Sequence, residues 1–93
     1  MCSSDLVAAT VGDRNAAFML HHGIVTCGAD VVEGVMAAVL LERACRTNVR
    51  ALAAGGPKSW SSDEEALSKR GHCWPPALLR QAWDYLARRL DAD

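Results

Sequence analysis

The chain reads as an α/β unit of two short strands and three to four helices, and three features of the sequence lead to that reading. Two short apolar runs, Ala16-Ala17-Phe18-Met19-Leu20 and Ile24-Val25-Thr26-Cys27, are separated only by His21-His22-Gly23. A link this short makes neighbours of the two strands. After them comes a helix-length stretch, residues 31–54, stopped by Gly55-Gly56-Pro57. Behind Pro75-Pro76, Leu79, Ala82, Trp83, Leu86 and Leu90 recur at helical spacing, and proline is tolerated in a first helical turn.

Taken in order, Ser3, Ser4 and Asp5 each suit a helix start, and residues 6–11 form a short first helix that Gly12 ends. The first strand is apolar throughout, which suits burial on both faces. Gly23 supplies the positive φ that a tight turn needs. Asp30 is placed to cap the long helix. Along that helix Val31, Val35, Ala38, Leu41, Cys45, Val49 and Leu52 fall on one arc, with Arg43, Arg46 and Arg50 beside it. Val32, Met36, Val39 and Leu40 add apolar groups on its other sides, so the first half is expected to be enclosed by more than one neighbour. Ser61 and Ser62 each have a glutamate three residues on, the capping-box pattern, and start a short helix that ends near Gly71. On the last helix Asp84 and Arg88 sit one turn apart.

Ninety-three residues make one domain, or part of one, with a limited core. An apolar fraction of 51% with 23% charged residues is ordinary globular usage, which excludes a disordered tail or a fibrous chain. Ten basic against eleven acidic side chains leave a formal charge of -1, so no overall field draws the chain to nucleic acid or to a membrane surface. The longest mostly apolar stretch, residues 31–41, contains Glu33 and falls well short of the about 20 residues a bilayer span needs. Residues 1–10 lack the basic flank and sustained apolar run of a secretory signal. Cys2, Cys27, Cys45 and Cys73 form no CxxC pair and no zinc-knuckle spacing with histidine. They read as free thiols in a reducing compartment, and the chain as cytoplasmic.

The order of the short signatures is more specific than any one of them. Phe18-Met19-Leu20 leads into His21-His22-Gly23, and Thr26 and Gly28 follow. Leu41-Glu42-Arg43-Ala44-Cys45 lies on the long helix, and Ala54-Gly55-Gly56-Pro57 breaks it. This ordered set resembles the class II aldolase/adducin family. Its members show an apolar strand, Asn-His-Gly, a Thr or Val with a Gly shortly afterwards, and a helix with a Leu-Glu-Arg-Ala-Cys-like segment. The C-terminal helix with Trp83 and Leu90 also resembles bacterial members, so the likeness runs from about Leu6 through nearly the whole chain. The resemblance implies that residues 1–93 are the C-terminal portion of a class II aldolase-type α/β/α sandwich, built around a mostly antiparallel sheet. The chain departs from the family at His21, where Asn is usual.

In catalytic members the histidine of Asn-His-Gly is a ligand of a divalent metal, usually zinc (Zn2+), and that role maps onto His22. The other ligands, a His-x-His pair, and the catalytic acidic residue come earlier in the family's domain, at positions that would precede Met1. Metal held by neutral imidazoles stabilises the enediolate formed when a hydroxy-ketone loses its neighbouring carbon–carbon bond. A zinc site takes three or four protein ligands, so His22 alone implies an incomplete site and no catalysis by this chain alone. Intact relatives are implied to be zinc-dependent lyases or epimerases acting on sugar phosphates or related hydroxy-carbonyl compounds, assembled as homo-oligomers with sites at subunit interfaces. Two other readings stay open. One is a non-catalytic, adducin-like interaction or oligomerisation module; the other is a small independent α/β oligomer that offers the apolar half of its long helix to a partner.

Apart from the family, a histidine at a strand end is more often a hydrogen-bonded structural group than a ligand. His21 should face away from His22 by strand alternation and reads as structural. His72-Cys73, beside Pro75, reads as connector. Glu42 falls inside the apolar arc, so burial with a partner is expected, either Arg46 one turn on or loop amides. Arg43, Arg46 and Arg50 read as a solvated face or a subunit contact. Trp60, Trp74 and Trp83 read as packing residues, with Trp60 and Trp74 available to a subunit interface. On the family resemblance, residues 18–20 are expected to leave an unpaired strand edge where the missing strands of the domain belong, a hazard for association.

Overall fold

The computed structural model describes residues 3–92. Its elements are α1 (Ser3–Val11), β1 (Ala16–Met19), β2 (Gly23–Thr26), α2 (Val31–Ala53), α3 (Asp63–Arg70) and α4 (Pro76–Ala92). This is the mixed helix-and-strand content read from the sequence. The side chains of Ser3, Ser4 and Asp5, proposed as caps, and the thiol of Cys2 lie outside the described residues. Contacts divide the chain into two compact units, one up to Glu42 and one from Arg43, with the boundary inside α2.

In the first unit, α1 ends where Gly12 takes a φ of 55° and its N–H bonds the Ala8 carbonyl at 3.0 Å, a left-handed cap that glycine adopts freely. The strands form an antiparallel hairpin that pairs Ala16 with Thr26, Ala17 with Val25, Phe18 with Ile24 and Met19 with Gly23. One further bond, from the Cys27 N–H to the Asn15 carbonyl at 2.9 Å, extends the ladder. Strand alternation puts Ala17, Met19 and Val25 on one face, where α1 packs against β1. Phe18, Ile24 and Thr26 share the other face, and the Thr26 hydroxyl there donates to the Gly34 carbonyl of α2 at 2.8 Å.

The start of α2 is held by a reciprocal pair of hydrogen bonds. Asp30 Oδ1 accepts the Glu33 N–H at 2.9 Å, and Glu33 Oε2 reaches back to the Ala29 N–H at 2.7 Å. Both are amides that a helix start leaves without intrahelical acceptors. Gly28 lies so close to this turn that a Cβ on it would meet Glu33 Cβ at 2.5 Å and the Gly34 nitrogen at 2.9 Å. At the far end, Gly55 has a φ of 110°, the Gly56 N–H bonds the Ala51 carbonyl at 2.8 Å, and the Gly55 N–H bonds that of Leu52 at 3.2 Å. That is the Schellman stop, and it places the helix end at Ala53.

In the second unit Ser62 caps α3, its hydroxyl accepting the Glu65 N–H at 3.2 Å, while Ser61 accepts from Lys69 Nζ at 2.6 Å. Pro76 opens α4 as expected. Leu79 is buried and Ala82, Trp83 and Leu86 half-buried, but Leu90 is exposed, so the apolar face of α4 is covered only along its first turns. Asp84 turns back to Arg80, at 3.6 Å, and this exposed pair adds little stability.

Burial corrects several expectations. Among the described residues only Val11, Met36 and Leu79 are buried hydrophobic side chains. The first strand is not enclosed on both faces: Phe18 is 68% exposed, and Leu20 lies in the turn at 82% exposed. Hydrophobicity records a capacity for burial, and the hairpin face that carries Phe18 is not covered by a strand or helix over that ring. On α2 the predicted arc is likewise open at Val31, Val35, Val49 and Leu52, whereas Met36, from the other side, is 2% exposed. The close approach of Gly28 and Thr26 to Glu33 and Gly34 sets which side of the helix turns inward. Glu42 is exposed, so its carboxylate is not desolvated as expected. Trp60 and Trp74 are exposed rather than packed, and only Trp83 is half-buried. No described helix is long and apolar enough to cross a membrane.

Gly28→Ala is expected to destabilise the protein by about 1–3 kcal/mol, because backbone rather than a flexible side-chain tip would have to move. Gly71→Ala, whose Cβ would meet only the Ser68 carbonyl, at an ordinary contact distance of 3.7 Å, is expected to fall within about 1 kcal/mol of the parent. Urea unfolding of the two variants side by side checks the contrast.

Candidate functional site

The site is built on the turn between β1 and β2. The His22 N–H bonds the Met19 carbonyl at 3.1 Å, closing a four-residue turn over 19–22. His21, its third residue, has a φ of 61°, the only positive value among the described non-glycine residues. A positive φ at that position alone is the type II pattern, which asks for Gly or Asn there. His is less suited but is among the residues enriched in left-handed conformations. Gly23 follows with a φ of 132°, a value that L side chains rarely adopt.

This backbone orients the His22 ring. Its Nδ1 lies 2.8 Å from the Leu20 carbonyl oxygen, which can only accept, so Nδ1 carries the proton. The neutral ring then has its lone pair on Nε2, the arrangement in which a backbone carbonyl fixes the tautomer of an imidazole ligand. His22 borders an open depression of about 960 Å³ between α1 and the hairpin. Leu6, Val7 and Val11 line it from α1, and Met19, Val25 and Cys27 from the strands. His21 is exposed and does not line it, consistent with the two imidazoles facing different ways.

Of the other candidates, Cys27 lines the same depression as His22. His72 has its Nδ1 2.8 Å from the Ser68 carbonyl, which also accepts the Gly71 N–H at 3.2 Å at the end of α3. Arg43, Arg46 and Arg50 are exposed in the second unit. Cys27, Cys45 and Cys73 are free thiols. Among the described residues no three His, Cys, Asp or Glu side chains cluster as a metal-binding group. Sequence reasoning placed Asp30 as the cap of α2, which the structure bears out, but missed the return bond from the Ala29 N–H to Glu33 Oε2 and the left-handed conformation of His21, which Asn at this point of the family signature foreshadowed.

A sequence model of the family described as Class II Aldolase and Adducin N-terminal domain matches residues 3–49, just over half of the chain. The chain belongs to this family. No curated protein and no solved structure matches it. The matched segment takes in α1, the hairpin and most of α2, so the likeness expected along nearly the whole chain is narrowed to this part. The 54–57 break, α3 and α4 lie outside it.

Because Asn tolerates the left-handed region better than His does, His21→Asn is expected to stabilise the protein by about 0.5 kcal/mol. His21→Val, with a β-branched side chain at the same φ, is expected to cost about 1–2 kcal/mol. Denaturant midpoints of the two variants should move in opposite directions.

Proposed function

We propose that this chain is the portion of a class II aldolase-type domain that follows the family's His-x-His pair, and that it contributes one metal ligand, His22, to a site it does not complete. The observation that carries the proposal is the Nδ1 contact to the Leu20 carbonyl, which leaves Nε2 as the coordinating atom. A zinc site draws three or four ligands from the protein. The described residues offer no such group around His22 and so do not by themselves fit a resident zinc ion. The intact domain, on this reading, is a zinc-dependent lyase or epimerase acting on a sugar phosphate or a related hydroxy-carbonyl compound in a cytoplasmic homo-oligomer. The chain alone supplies the ligand turn and the helix that supports it, and turns over no substrate.

Calorimetric titration of the full chain with zinc is expected to give weak binding without a defined stoichiometry, little changed by His22→Ala. Tight one-to-one binding abolished by His22→Ala would overturn the proposal. Reading the gene upstream of the Met1 codon distinguishes the enzyme from its relatives. A His-x-His segment with an acidic residue supports the lyase or epimerase, whereas a related segment with those positions replaced supports an adducin-like interaction module.

A further inference from the structure

We infer that residue 21 is a positioning residue for His22: its left-handed backbone turns the Leu20–His21 peptide so that the Leu20 carbonyl, and not the His21 N–H, faces the His22 ring and leaves Nε2 unprotonated. The use of that free Nε2 rests on the reading of His22 as a metal ligand. The backbone device itself does not.

The hairpin pairs Met19 with Gly23, so its loop is the three residues 20–22. Three-residue hairpin loops ordinarily combine a type I turn with a left-handed third residue. That arrangement would leave residue 21 right-handed and place the positive φ on His22. Here the positive φ falls one residue earlier, on His21 at 61°, and Gly23 takes 132° as the chain enters β2. The closing bond of the turn, from the His22 N–H to the Met19 carbonyl at 3.1 Å, is common to type I and type II turns. What separates the two is the central peptide, Leu20 C=O to His21 N–H, which is rotated by roughly half a turn between them.

The conformation is costly, since a left-handed residue other than glycine gives up about 1–2 kcal/mol, least for Asn and Asp. Such outliers are informative where they coincide with a contact that depends on them. The contact here is the 2.8 Å approach of His22 Nδ1 to the Leu20 oxygen. A carbonyl only accepts, so it holds the proton on Nδ1 and the lone pair on Nε2. With the peptide turned the other way, the carbonyl leaves this place and the His21 N–H turns toward it. A donor there asks Nδ1 to accept, which sends the proton to Nε2 and removes the lone pair that could bind a metal. The first position of the histidine signature thus governs the second through one peptide plane, and the Asn usual there in the family suits the same φ.

His72 provides an internal standard, because its Nδ1 lies 2.8 Å from the Ser68 carbonyl at the end of α3, in the other unit. Long-range proton–nitrogen correlation spectra of the metal-free full chain, recorded at mildly alkaline pH where imidazoles are neutral, read the tautomer of each histidine. His22 and His72 are both expected to carry the proton mainly on Nδ1; a His22 protonated mainly on Nε2 overturns the inference. In His21→Val the ratio of Nδ1–H to Nε2–H at His22 is expected to fall about threefold or more, the weight of one hydrogen bond, with His72 unchanged. An unchanged ratio at His22 overturns the inference. His21→Asn favours the observed φ and keeps the turn, so it is expected to hold the ratio at or above the parent value, and a fall there is equally fatal. Gly28→Ala weakens the same unit without touching the turn and is expected to leave the ratio alone; a ratio that follows stability instead of residue 21 refutes the positioning role. The spectra contain no metal, so a tautomer indifferent to residue 21 removes this role and leaves the ligand proposal to its own zinc titration.

Discussion

The contact of Gly28 with the second residue pair of the α2 start, Glu33 and Gly34, is the constraint on which the first unit depends. A Cβ at position 28 has no room, since it would come within 2.5 Å of Glu33 Cβ. Around this approach three hydrogen bonds converge: Thr26 to the Gly34 carbonyl, Glu33 to the Asp30 carboxylate, and Ala29 to the Glu33 carboxylate. Together they fix where β2 ends, where α2 begins and which side of the helix turns inward. The Thr and Gly that the family shows after its histidine signature thus have a packing explanation in this chain. One joins the strand to the helix through a hydroxyl, and the other lets the two backbones touch.

The histidine signature divides in a similar way. Position 21 is held at a φ of 61° and position 23 at 132°, so the residues on either side of His22 answer to backbone conformation. The His22 ring, by contrast, is oriented by the Leu20 carbonyl two residues back. The family's Asn relaxes the first of these positions, and His21 holds the same turn at greater conformational cost. Because the ring partner is a backbone atom of the same turn, the orientation of His22 does not require a distant side chain.

Much of this local structure was legible because it is written in short-range chemistry. The glycines at 12, 23, 55 and 56 all take positive φ, Asp30 and Ser62 cap their helices, and Pro76 opens the last one. These features depend on residues at most a few positions apart. Burial was not legible in the same way. Phe18, Val31, Val49 and Leu52 are as apolar as Met36, yet they are exposed and Met36 is not. A periodic pattern marks the side of an element able to be buried, and the tertiary neighbours determine whether it is. Glu42 shows the converse: the arc that seemed to bury it is open there, and the residue is exposed. For the candidate site the sequence supplied the ligand position but not the hydrogen bond that orients it, since nothing in the order of residues specifies an imidazole reaching back to a carbonyl.

The scarcity of buried side chains bears on stability. Val11, Met36 and Leu79 are the only buried hydrophobic residues among those described, while Leu20, Trp60 and Leu90 are each more than three-quarters exposed. Burying a large apolar side chain contributes about 1.5–3 kcal/mol, and ordering each residue's backbone costs about 1–2 kcal/mol. Local devices such as caps and turns contribute about 1 kcal/mol apiece and cannot make up that difference over a chain of this length. The hairpin is the weakest point, because two strands of four residues have neither length nor breadth to hold themselves.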